Sequence, residues 1–147
     1  MHSNAEISAI GDLADLQEDA GKLGACAFGI SAAVTFIHEL EPGTFTKKSH
    51  RYVYDPNFLT LSFHTARTSH VKVTLRGEVG EFERYTHLPL KRARGDSYSE
   101  CVYDNILQRD ALLLYIKRAH SLWKEGRNRV RMKREITATP VKPRGLL

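Results

Sequence analysis

The chain has 147 residues, 41% of them hydrophobic and 27% charged, with two cysteines and a formal net charge of +5. That size and composition describe one ordinary globular domain, and they exclude both a disordered chain and a small fold held by disulfides or metals. The charge is divided unevenly: residues 1–46 hold seven acidic side chains against Lys22 alone, a net −6, and the remainder carries +11. Such asymmetry points to contact with a polyanion, or to two faces that attract each other within or between subunits.

Residues 5–20 read as an amphipathic helix. Ile7, Ile10, Leu13, Ala14 and Leu16 recur at helical spacing while Asp12, Asp15, Glu18 and Asp19 line the other side, and Gly21 and Gly24 are natural stops. The N-terminal residues lack the basic stretch of a signal peptide, which gives the expectation of an intracellular protein. Leu23–Ile37 is a run of fifteen uncharged residues. A membrane span needs about 20, so the run reads as buried core. Within it Cys26, Phe28, Ile30, Ala32, Val34 and Phe36 alternate with small or polar neighbours, which predicts a long strand. A buried helix is the alternative, since alanine and glycine tolerate both. Glu41-Pro42-Gly43-Thr44 then marks a turn.

Three strands are predicted next, over His50–Asp55, Asn57–Thr65 and His70–Arg76. The last two alternate clearly, with Leu59, Leu61 and Phe63 on one face and Val71, Val73 and Leu75 on another, so the short connection between them makes a hairpin. If Phe63 and Val71 both face the core, the register is fixed: His64 stands opposite His70, Ser62 opposite Lys72 and Thr60 opposite Thr74. A further strand is expected from Glu81 to about Leu88, followed by a basic loop over Leu90–Asp96. Ser97-Tyr98-Ser99-Glu100 has the form of a capping box for a helix running to Glu125, although residues 99–103 also suit a last short strand with Asp104 as the cap. Leu112, Ile116, Ala119 and Trp123 form the helix stripe and Gly126 ends it.

Two constellations carry possible chemistry. His64 and His70, directly opposed on a polar face with Lys72 beside them, have the make-up of a metal-independent ribonuclease: a general base, a general acid and a cation for the developing phosphorane charge. The bland account is that an antiparallel sheet often leaves one polar face to water. No carboxylate or cysteine accompanies the pair on these strands, so the reading includes no metal. The second constellation is the basic C-terminal third. Lys91, Arg92 and Arg94 form one cluster; Lys117, Arg118, Lys124, Arg127, Arg129, Arg131, Lys133 and Arg134 form another, with Glu125 the single acid among them. These residues suit salt-dependent, sequence-independent contact with phosphates, or equally a solvated tail.

Smaller signals lean toward structure. Trp123 falls on the apolar phase of its helix, and Tyr52 and Tyr54, placed with His50 on one strand face, serve as well to cover a neighbouring strand as to stack on bases. Glu81 and Glu83, two apart, need no role beyond exposure. The glycines form no phosphate-cradling loop, and no cofactor is expected. Cys26 and Cys101, among apolar neighbours and far apart, read as buried free thiols of a reducing, cytoplasmic compartment.

The expected fold class is α+β: an antiparallel sheet of four to six strands packed by an N-terminal and a C-terminal helix. A single domain over 1–126 precedes a basic tail over 127–147. This general build resembles that of small basic ribonuclease toxins, a likeness of architecture that fixes no residue. The expected function is a small basic subunit that binds nucleic acid or an acidic protein surface through its C-terminal third, without a membrane, as an oligomer or part of a larger assembly. The alternatives are the ribonuclease and a homo-oligomeric scaffold in which the acidic helix of one chain meets the basic tail of the next.

Overall fold

A computed structural model describes residues 11–93 and 97–126 of the chain. In order, the elements are helices α1 (Leu13–Gly21) and α2 (Ala27–Leu40), strands β1 (Thr44–Lys48), β2 (Arg51–Asp55), β3 (Leu59–His64), β4 (His70–Arg76), β5 (Lys91–Arg92) and β6 (Tyr98–Tyr103), and helix α3 (Arg109–Lys124). The six strands form one sheet in the order β1-β2-β3-β4-β6-β5, with every neighbouring pair antiparallel. The architecture is α+β, and α1, α2 and α3 all lie on one side of that sheet.

The segment expected as a long strand from Cys26 is instead helix α2. Its buried residues are Gly29, Ile30, Ala33, Val34 and Ile37, which recur at 3.6-residue spacing, whereas strand phase demands that Phe28 be covered, and Phe28 is 81% exposed. Small side chains made the two periods hard to separate in the sequence, and close approach decided between them. A Cβ at Gly29 would lie 1.6 Å from the Tyr103 hydroxyl oxygen, so the glycine is what lets α2 settle against β6.

Three other expectations change. Residues 81–88 are not a strand: a 3₁₀ turn, Val79–Glu81, leads into a loop with one isolated bridge, Tyr85 to Leu88. Phe82 and Leu88 are buried there, and α3 holds the loop through Tyr115, whose hydroxyl accepts from the Tyr85 N–H and donates to the Leu88 carbonyl. The span 98–125 is not one helix, because Ser99, Cys101 and Tyr103 alternate into the core as β6. Asn105, with Gln108 in a reciprocal capping box, then starts the turn that enters α3. Finally, Thr44–Lys48 forms an unforeseen strand, β1. Of the first expected helix, the described part begins at Leu13, and residues 5–10 lie outside the described residues.

Alternation gives the sheet two distinct faces. Phe45, Tyr52, Tyr54, Leu59, Leu61, Val71, Val73, Leu75, Cys101 and Tyr103 are 0–2% exposed and meet the helices. The two buried tyrosines on β2 keep their hydroxyls satisfied: Tyr52 donates to Asp19 of α1 and Tyr54 to the Glu41 carbonyl after α2. Among the described residues, no helix covers the opposite face.

Candidate nucleic-acid interface

The uncovered face is organised in rows, since directly paired residues on adjacent antiparallel strands point the same way. One row crosses four strands as Lys48, Arg51, Ser62 and Lys72, ending at Val102 on β6. The next holds Thr46, Val53, Thr60, Thr74, Glu100 and Lys91. Beyond the first row, at the hairpin end, His64 stands opposite His70. Twist makes the surface concave: a trough of about 540 Å³ runs over the middle strands, lined by Lys48, Arg51 and Lys72 with the hydroxyls of Thr60, Ser62 and Thr74.

The electrostatics of this trough are one-sided. Lys48 and Arg51 are directly opposed, an arrangement that like charges disfavour, and among the described residues none of Lys48, Arg51 and Lys72 is in an ion pair. Among the described lining residues the one carboxylate, Glu100, is matched by Lys91 at 3.3 Å. Lys47, one residue before Lys48, points to the opposite face and pairs with Asp19 at 3.7 Å. Strand alternation therefore sorts two adjacent lysines, one to hold α1 and one to face solvent.

The histidines are set by their neighbours. The His64 and His70 rings are stacked, with centroids 4.6 Å apart and planes within 12°, and His50 from the β1–β2 turn sits 6.2 Å from His64. Nε2 of His64 meets Ser62 Oγ at 3.3 Å, and Nδ1 of His70 meets Thr68 Oγ1 at 2.9 Å. Burial, and then the neighbouring His70, Lys72 and His50, hold the His64 pKa below the ordinary histidine value.

The structure thus brings His64, His70 and Lys72 together as the register required, and places Lys91 on the same face. It takes the other expected cations elsewhere. Arg92 projects to the opposite side of the sheet, beside Glu78, Val79 and Gly80. Lys117 and Lys124 are exposed on α3, across the core from the trough, and Arg118 donates to the Glu81 carbonyl at 2.8 Å. Arg94, Arg127, Arg129, Arg131, Lys133 and Arg134, with the rest of the tail over 127–147, lie outside the described residues. Tyr52 and Tyr54 are fully buried and turned away from His50, which removes them as stacking platforms. Glu81 is no strand partner of Glu83, because its carboxylate caps the Val79–Glu81 turn by accepting from the Glu78 N–H.

Lys48, His50 and Arg51 are the site residues that sequence reasoning missed. The signal was present in Thr-Phe-Thr-Lys-Lys-Ser-His-Arg, where six polar residues separate Phe45 from Tyr52, but no glycine or asparagine marks the two-residue turn. Ser49 takes the positive φ of 65° itself.

Both cysteines are buried and unbridged; burial, with Glu100 adding to it, pushes the Cys101 thiol up to about 12. Among the described residues no helix is long and apolar enough to cross a membrane, and no three His, Cys, Asp or Glu side chains are grouped to hold a metal ion. Comparison with family profiles, with curated proteins and with solved structures finds no match to this chain.

Proposed function

We propose that this protein is a small basic subunit that binds nucleic acid through the uncovered face of its sheet. The observation that carries the reading is the row of Lys48, Arg51 and Lys72: three cations, two of them directly opposed, with no ion pair among the described residues. Unneutralised like charge on a rigid sheet is relieved by an anion that spans several strands. Threonine and serine hydroxyls between the cations suit phosphate oxygens, which are contacted by such side chains as well as by lysine and arginine. An acidic protein partner fits less well, because an interface of that kind is anchored by buried aromatic or aliphatic side chains. Among its described lining residues the trough offers only Val53 and Ala93. Binding of this type is independent of base sequence. The buried, unbridged thiols fit a reducing compartment such as the cytoplasm. Exposed Phe28 and Leu107, near the N-terminal ends of α2 and α3, suit a place within a larger assembly.

Fluorescence anisotropy with a labelled single-stranded oligonucleotide tests the reading. Lys48→Glu/Arg51→Glu/Lys72→Glu should abolish binding at moderate salt. In the wild type these three contacts should contribute about 2 to the salt slope, at about 0.7 per phosphate for single strands. Undetectable wild-type binding at low salt, or an unchanged triple variant, would overturn it.

One observation favours a second reading, ribonuclease activity: His64 and His70 lie side by side with Lys72 on the next residue of the same face. Their stacking at 4.6 Å leaves no space for a phosphodiester between the rings, so acid and base would both have to work from one edge. Incubating the same oligonucleotide as RNA decides it. Cleavage that disappears in His64→Ala/His70→Ala makes the protein an enzyme, and intact RNA leaves it a binder.

A further inference from the structure

The imidazole pair lies at the end of the β3–β4 hairpin, beyond the cationic row, and binding of diester phosphates along that row makes no use of it. We propose that this hairpin tip is a separate subsite for a terminal phosphate monoester, the end of a strand whose internal diesters lie in the trough. The proposal rests on the nucleic-acid reading for the strand, but not for the phosphate.

Three observations converge on it. First, both rings are orientationally fixed and each keeps one nitrogen open. Ser62 engages His64 Nε2 and Thr68 engages His70 Nδ1, while His64 Nδ1 and His70 Nε2 have no hydrogen bond among the described residues. A hydroxyl can donate or accept, so either ring can present its open nitrogen as an N–H donor. Second, the rings border a cavity of about 620 Å³ around the tip, together with His50, Phe63, Arg67 and Thr68. No carboxylate is among its described lining residues. Third, the charge balance selects the ligand. Two stacked imidazolium ions repel each other, and Lys72 on β4, His50 on the β1–β2 turn and Arg67 at the tip add to that repulsion. The nearest acid in an adjoining cavity, Asp19, is already held by Tyr52 and Lys47. Double protonation therefore calls for a counter-ion with more than one negative charge. A diester carries one, whereas a terminal monoester carries about −1.5 to −2 near neutrality.

The experiment compares short single-stranded oligonucleotides of one sequence carrying a 5′-phosphate, a 3′-phosphate or hydroxyl ends. They are bound to the full chain at about pH 6.5, near the ordinary histidine pKa. One terminal phosphate should raise affinity roughly tenfold, the factor that one charge-assisted hydrogen bond supplies. His64→Gln/His70→Gln should erase that difference while keeping the affinity for the hydroxyl-ended strand. Equal affinity for all three ends overturns the subsite and leaves the trough reading standing. If no oligonucleotide binds, the trough reading falls, and inorganic phosphate alone decides the subsite. Saturable shifts of the His64 and His70 ring protons by NMR in the wild type sustain it, and their absence overturns it.

Discussion

The two faces of one sheet have been solved by opposite rules. On the helix side, the inward positions of the middle strands are apolar, and the two tyrosines of β2 place their hydroxyls on partners outside the sheet, Tyr52 on Asp19 and Tyr54 on the Glu41 carbonyl. On the other side, the same strands alternate into lysine, arginine, histidine and hydroxyl residues, and Lys48 and Arg51 are placed opposite each other with nothing between them. A face that served only to keep the protein soluble would oppose unlike charges throughout, as Lys91 and Glu100 are opposed at its far edge, and would not set Lys48 against Arg51. The contrast teaches that the covered face is arranged for stability, while the open face gives up some stability for its charge.

That contrast can be broken by measurement. Leu61, fully buried on the covered face, should cost about 2–5 kcal/mol when changed to Ala. Its neighbour Thr60→Ala, facing the trough, should stay within about 0.5 kcal/mol in the same urea unfolding series. Comparable losses at both positions would mean that the open face is packed against something. Tyr52→Phe comes next, at about 1.5–3 kcal/mol, the range for a hydrogen bond to a charged group. This substitution also has a signature in pH. The hydrogen bond from Tyr52 first, with Lys47 and Lys22 adding to it against the effect of burial, holds the Asp19 carboxyl below its ordinary value of 3.8. A depressed carboxylate pKa stabilises the fold fully above 3.8, and that contribution disappears as pH falls through the lower folded value. The stability lost on acidification through that range should therefore be smaller in Tyr52→Phe than in the wild type. The smallest effect is the most discriminating. Lys48→Thr removes a like-charge pair and should raise stability by about 0.2–1 kcal/mol while weakening oligonucleotide binding. Stability and affinity moving in the same direction would contradict the division between the faces.

How much of this was legible depended on side-chain contrast. Along β3 and β4, large apolar residues alternate with polar ones, so a one-residue slip would expose Leu61 and Val73 together. The register, and with it the His64–His70 pairing, followed from that alone. Along α2 the contrast fails, because Ala32, Ala33 and Gly29 satisfy either period, and the deciding fact is a contact with Tyr103 some seventy residues away in the chain. The loop over 82–88 misled for a related reason: its apolar residues anchor on α3 rather than on a strand. The candidate site was half legible. Lys72, His64 and His70 came with the hairpin, but Lys48 and Arg51 meet only because Ser49 turns the chain in a conformation usually left to glycine. The weight given to Lys117 and Lys124 followed the local density of charge, which does not reveal that they lie across the core from the trough.

The outer edge of β1 is closed by the chain that precedes α1. Gly11 bridges Phe45, the Asp12 N–H donates to the Phe45 carbonyl at 2.9 Å, and the Asp12 carboxylate accepts from the Lys47 N–H at 2.6 Å. Copies gathered along a polymer meet side by side at high local concentration, the condition under which exposed strands zip into continuous sheets. With this plug in place, β1 offers a neighbouring copy no free ladder at Phe45 or Lys47, so even the crowding that the proposed polyanion would impose does not become fibre growth at those positions.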